Sequence, residues 1–240
     1  MSSEPVAPAR VPEAFDRHAA VYDRLVGANP GYHDHLRFSA RRLGLPARGA
    51  GLRLLDVGCG TGASTAALLA AYPEAEIVAA DASAAMLAEA RRKPWPRGVR
   101  FVHAPLDGLA EAGVEGPFDG VLAAYLVRNL PDRDAGIAAL RDLLAPGAPL
   151  ALHEYSVRDS PRSRLVWTAV AWTVIIPLGR WRSGSADLYR YLWRSVLDFD
   201  GIATLAGRLR TAGLSGVRVL PVTGWQRGIV HTVLGRAPAA

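Results

Sequence analysis

The chain has 240 residues, half of them hydrophobic, with a formal net charge of +6. That length and apolar content suit one sizeable core and a single domain. The positive charge is arginine scattered from Arg10 to Arg236 with one lysine, Lys93, and no basic stripe interleaved with aromatics, which argues against nucleic acid as a partner. One cysteine, Cys59, excludes disulfides and a thiolate metal cluster and fits a reducing, cytoplasmic setting.

In chain order, residues 1–12 are rich in Pro, Ala and Ser, lack the apolar stretch of a signal peptide and predict a mobile tail before a domain over 13–240. Two helices follow, near 12–26 and 33–43, separated by Asn29-Pro30-Gly31. Strands are then expected near 52–57, 76–80, 99–103, 118–124 and 148–154, with helices near 63–71, 83–92 and 133–144 between them. Pro146-Gly147 closes the last helix and turns the chain into the fifth strand. An insertion over about 158–198 carries four of the six tryptophans, and a helix near 200–212 leads to strands near 216–221 and 228–235. Alternating strands and helices of this kind build a doubly wound, mostly parallel α/β sheet. The longest apolar run, 165–178, is too short for a bilayer, which needs roughly twenty residues.

The stretch Leu54-Leu55-Asp56-Val57-Gly58-Cys59-Gly60-Thr61-Gly62 reads as a strand, a turn that needs glycine, and a helix start. The helix from Ala63 aims free N–H groups and a positive dipole end at whatever lies against the turn. Nineteen residues after Gly62 a second apolar strand ends in Asp81, whose carboxylate can accept from both hydroxyls of a ribose. A nucleoside-containing cofactor is the first inference. Gly58-x-Gly60-x-x-Ala63 also meets the loose dinucleotide pattern, but Asp56 at the strand end would repel a pyrophosphate and could receive a ligand ammonium. Ala123-Ala124-Tyr125, at the far end of the fourth strand, adds a third wall at the sheet edge.

The string D-V-G-C-G-T-G resembles motif I of the class I S-adenosylmethionine methyltransferases. Beyond the tail, nearly the whole chain resembles one branch of them, the ubiquinone/menaquinone-biosynthesis C-methyltransferases. Phe15-x-x-x-Ala19-x-x-Tyr22-Asp23 is similar to the segment that closes over the cofactor in that family. Leu126-Val127-Arg128-Asn129-Leu130-Pro131-Asp132 resembles its L-R-N-x-x-D signature. His153-Glu154-Tyr155-Ser156 and Asp187-x-Tyr189-Arg190-Tyr191-Leu192-x-x-Ser195 resemble its E-F-S and D-x-Y-x-Y-L-x-x-S stretches. The resemblance implies a Rossmann-like, seven-stranded sheet with an N-terminal helical cap and a helical insertion after strand five.

It also implies S-adenosylmethionine held by Asp56, Gly58, Cys59, Gly60, Thr61, Gly62, Asp81, Ala82, Met86, Leu106, Asp107 and Tyr125. Two departures stand out. Ala104-Pro105-Leu106 replaces the family's G-D-A, whose acid meets the adenine, leaving Asp107 or the amides near Leu106 for that task. Three residues, Trp225-Gln226-Arg227, separate the T-G and G-I-V pieces near the C-terminus.

The implied acceptor is a small apolar phenol, in the family a prenylated quinol. Arg128 would stabilise its phenolate, Asn129 would orient it, and Tyr22 would line the transfer path. His103 and His153 read as ending neighbouring strands and as pocket or core histidines, with His153 the candidate if a general base is needed. For Arg128 the alternative is a surface ion pair with Asp132 or Asp134, and Glu154 could pair with an arginine of the insertion. Two other functions stay open: a C- or O-methyltransferase of secondary metabolism, and a non-catalytic binder of the cofactor. His33-x-His35, on a helix expected to be exposed, reads as solvated and no metal is expected. Cys59 reads as packing. Residues 165–182, tryptophan-bearing with arginines on both flanks, read as a lid with peripheral membrane contact or as a face packed over the pocket or in a homodimer.

Overall fold

The computed structural model describes Asp16, Asp23, Gly27 and residues 29–183 and 186–239; the tail expected over 1–12 and the candidate Tyr22 lie outside the described residues. Helix α1 (Tyr32–Arg42) leads into β1 (Arg53–Val57), α2 (Ala63–Ala71), β2 (Glu76–Asp81), α3 (Ala84–Arg91) and β3 (Val99–His103). Strand β4 (Gly120–Ala124), α4 (Arg133–Asp142) and β5 (Pro149–Tyr155) complete the parallel half. The insertion forms α5 (Pro161–Val170), a π-helical turn (Ala171–Ile175), α6 (Ile176–Ser183) and α7 (Asp187–Asp198). Helix α8 (Ile202–Thr211) and strands β6 (Ser215–Pro221) and β7 (Val230–Arg236) end the fold.

Seven strands form one sheet in the order β3-β2-β1-β4-β5-β7-β6. Only β7 runs against the rest. The central strands are buried along nearly their whole length because both faces are covered, and most of their residues are apolar. Leu54, Leu122 and Ala151 face α1 and α2, beside Leu36, Leu68 and Tyr72. Leu55, Val121, Ala123, Leu150 and Leu152 face the other layer, with Ile137 and Leu140 of α4 and Leu205 and Leu209 of α8. Local signals start the helices that frame the site: Ser83 accepts from the Met86 N–H at 3.1 Å and Asp132 from the Ala135 N–H at 3.0 Å.

Two expectations need correcting. Phe118 makes only an isolated bridge to Leu144, outside the seven strands, so β4 begins at Gly120. His103 ends β3, whereas His153 lies two residues before the end of β5, and the two strands are not neighbours; β2, β1 and β4 lie between them. The chain winds outward from β1 to β3, then crosses back to place β4 on the other side of β1. That reversal opens a crevice at the carboxyl ends of β1 and β4, where ligands of open α/β sheets bind.

Candidate active site

The glycine turn forms as its residue types require. Gly58, Gly60 and Gly62 adopt φ of 73°, 55° and 89°, the left-handed region that a Cβ disfavours. A Cβ on Gly62 would sit 2.8 Å from Cζ2 of Trp95, and one on Gly58 would sit 3.1 Å from Cδ1 of Leu126. The turn therefore needs glycine for space as well as for conformation. Asp81 at the end of β2 braces it: one carboxylate oxygen accepts from the Gly60 N–H at 2.7 Å, the other from the Ser83 N–H at 2.8 Å.

A cavity of about 750 Å³ opens on this turn. Its floor is Gly58, Cys59, Gly60 and Thr61, and one wall is Asp81, Ala82 and Met86. Leu106 and Asp107, in a short 3₁₀ turn after β3, form a second wall. Tyr125, Arg128 and Asn129 form the third, following β4. Two acids of the N-terminal segment are fastened across the rim. Asp23 accepts from the Thr61 hydroxyl and pairs with Lys93 at 2.5 Å, while Asp16 accepts from the Ser83 hydroxyl.

The third wall is aromatic and cationic. Tyr125 has φ +57°, uncommon for a side-chain-bearing residue, and its N–H donates to the His153 carbonyl at 2.7 Å. Its ring stacks between Tyr32 and Tyr155, with centroids 5.9 and 4.9 Å away. The Arg128 guanidinium lies 5.7 and 5.6 Å from the ring centroids of Tyr125 and Tyr155 and donates to Glu154. Asn129 is held at both ends: its Nδ2 donates to the Tyr125 carbonyl and its Oδ1 accepts from the Tyr191 hydroxyl, each at 3.0 Å.

A glycine cradle at a helix start, a bracing acid on the next strand and an Arg-Asn pair after β4 share one cavity. A model of the ubiE/COQ5 methyltransferase family matches residues 4–235. The chain belongs to this family. Among relatives of this ubiE/COQ5-family methyltransferase, the demethylmenaquinone methyltransferase of Thermus thermophilus is 37% identical over 203 residues, covering 84% of this chain and 91% of the relative. That of Clavibacter sepedonicus is 33% identical over 234 residues, 97% of this chain and 92% of the relative. Among solved structures, a SAM-dependent methyltransferase from Thermotoga maritima superposes with a TM-score of 0.64 at 18% identity, covering 93% of this chain and 98% of that one, which supports the fold.

Several expected site residues of this methyltransferase stand elsewhere. Asp56 is fully buried and does not line the cavity, so it cannot meet a ligand ammonium at its surface. One of its oxygens accepts from the Ser64 and Thr65 hydroxyls at 2.8 and 2.6 Å, tying β1 to the first turn of α2, and the other lacks a partner among the described residues. Burial raises its carboxyl to about 7. Gly62 also stays off the cavity, against Trp95. His153 sits behind the wall, bonded to the Tyr125 hydroxyl at 3.0 Å and the Ser39 hydroxyl at 2.7 Å. Burial pushes its pKa down to about 3, so it is no general base near neutrality.

Arg128 pairs with Glu154, not with Asp132 or Asp134, and among the described residues Glu154 pairs with no arginine of the insertion. His35 is buried and holds Gln226 at 3.1 Å, which explains the three residues inserted before Gly228: they carry Gln226 inward. Among the described residues none of the insertion lines the cavity; its link is Tyr191 on Asn129. Cys59 lines the floor with its thiol pushed well up by burial, which disfavours the thiolate. No metal-holding cluster occurs among the described residues.

Tyr32 and the Ser39–His153–Tyr125 chain were missed by sequence reasoning. Ser39 and His153 are 114 positions apart, and no local pattern marks that pairing.

Proposed function

We propose that this chain binds S-adenosylmethionine in the glycine-floored cavity and methylates a ring carbon of a demethylated menaquinol or a similar apolar phenol. The observation that carries this reading is the joining of the Asp81-braced glycine turn and the Arg128–Asn129 wall in one cavity of about 750 Å³. The residues fit the cofactor: Asp81 keeps lone pairs on both oxygens for ribose hydroxyls, and Asp107 and the amides near Leu106 face the place for an adenine. When bound, the cofactor supplies a methyl group on a positively charged sulphur that departs as a neutral thioether.

Arg128 holds positive charge beside the acceptor, favouring the phenolate whose negative charge enriches the neighbouring ring carbon. Asn129, clamped by Tyr125 and Tyr191, orients the same oxygen. Tyr125 and Tyr32 present stacked rings as an apolar wall. Asp16 and Asp23, bonded to the Ser83 and Thr61 hydroxyls at the rim, narrow the access of water to the transfer. The acceptor gains a methyl on carbon and releases its ring hydrogen as a proton, so charge and atoms balance.

The test is a labelled-methyl assay with reduced demethylmenaquinone, the product located by mass spectrometry and NMR. A C-methylated quinol is expected. Cofactor binding by calorimetry without any methylated product from quinols or a lipid extract would sink the enzymatic reading.

A further inference from the structure

Five large apolar side chains are exposed among the described residues, and four lie on one helical run: Leu165 at 71%, Trp172 at 47%, Val174 at 52% and Trp181 at 79%. The run from α5 through the π turn into α6 turns Ser163, Trp167, Ala171 and Ile176 inward. The spacing of that series lengthens from four residues to five across the π turn, so the extra residue keeps the inward face in register and leaves the outer face continuous. Arg158, Arg162, Arg164 and Arg180 flank that outer face, exposed and without ion-pair partners among the described residues. Residues 158–198 hold seven arginines against three aspartates, a surplus of four in a chain whose net charge is +6.

We propose that this outer face of α5 and α6 docks onto an anionic lipid surface. Tryptophans rimmed by arginines match an interface where rings lie at headgroup depth and guanidinium groups meet phosphates. A second copy is the poorer occupant, because a two-fold contact would set this arginine-rimmed face against itself. No helix of the described residues is long and apolar enough to cross a membrane, so the contact lies in the interface plane. The docked face connects to the cavity wall: Trp172 packs edge-on against Trp193 of α7 at 5.4 Å, and Tyr191 of α7 holds Asn129. If the acceptor is apolar, a point that rests on the function proposed above, docking brings that wall to the phase in which the acceptor dissolves.

Co-sedimentation of the full chain with vesicles of phosphatidylcholine alone, or mixed with phosphatidylglycerol, tests the proposal. The vesicles contain neither methyl donor nor quinol, so the result is independent of methyl transfer. Binding to the mixed vesicles is expected, weakened by salt. The Trp172→Ala/Trp181→Ala variant should lose at least about tenfold in partitioning. Each of Arg162→Gln and Arg164→Gln should lose roughly fivefold on the anionic vesicles only. Unchanged melting temperatures will show that these exposed substitutions leave the fold intact. Equal background sedimentation of native and double-tryptophan chains would overturn the proposal. So would a dimer in analytical ultracentrifugation that the same double variant abolishes while no vesicle binding occurs.

Discussion

The Arg128 guanidinium lies 3.2 and 3.4 Å from the two carboxylate oxygens of Glu154, with the side chains 4% and 1% exposed. A buried pair of this kind is costly to break, because one charge is then left in a poor solvent. Arg128→Ala should lower the unfolding free energy by about 3–5 kcal/mol and cut turnover by roughly 100-fold or more, with methyl-donor affinity spared. Glu154→Gln, of the same shape, tests the pair from its other side and should reduce stability without removing the guanidinium from the cavity. Steady-state kinetics with calorimetry decide: equal losses of donor affinity and turnover would place Arg128 outside the acceptor site.

Asp81 braces the turn through two backbone N–H groups, one on each oxygen. Asp81→Asn keeps the outline and one acceptor, but sets an NH2 against the other N–H and removes the charge assistance. Donor affinity should fall roughly 10- to 100-fold by calorimetry, with turnover at saturating donor near native.

Gly62 and Gly51 separate two costs of adding a methyl group. Both have positive φ, 89° and 71°, but a Cβ on Gly62 meets Trp95 at 2.8 Å and one on Gly51 meets nothing within 4 Å. Gly51→Ala should cost only about 1–2 kcal/mol of backbone strain. Gly62→Ala should add about 1–3 kcal/mol of overpacking and lower donor affinity as the turn shifts. Similar melting temperatures for the two variants would show that Trp95 yields freely.

Burial raises the Asp56 carboxyl from its ordinary 3.8 to about 7. Between about pH 4 and 7 the folded chain therefore keeps a proton that the unfolded chain has lost. The stabilising effect is complete below about pH 4 and fades as pH climbs through 7. Asp56→Asn abolishes the titration and keeps an oxygen for Ser64 and Thr65. Relative to the native chain, its stability should rise across that window by up to about 1.4 kcal/mol per pH unit. His153 and His231, pushed down to about 3 and 4, act oppositely in both chains and cancel in the difference. Denaturant titrations across the window should show the slope; a flat difference would mean that Asp56 is already ionised at low pH.

The Tyr191 hydroxyl holds Asn129 from a helix that does not line the cavity. Tyr191→Phe should raise the acceptor KM with donor affinity unchanged. A shift in donor affinity would instead implicate the whole third wall.

Much of the site was legible locally. The glycine turn, Asp81 and the Arg128-Asn129 pair each carry their signal within a few residues, since a tight turn, a strand-end acid and a helix start are short-range constraints. The order of the strands was not legible, so His103 and His153 were set side by side although three strands part them. Nor was the fate of buried charge: Asp56 and His153 look reactive by type, and only the surroundings show one tied to hydroxyls and the other held neutral.

The amino-acid order by itself determined the α/β alternation, the cofactor turn and the family, because backbone conformation and hydrophobic period are properties of neighbouring residues. Tertiary structure alone decided which groups share the cavity, that Arg128 meets Glu154 twenty-six positions away, and which apolar side chains of the insertion are exposed. Contacts and burial arise between segments distant in the chain, and it is burial that sets a charge's partner, its proton and its reach.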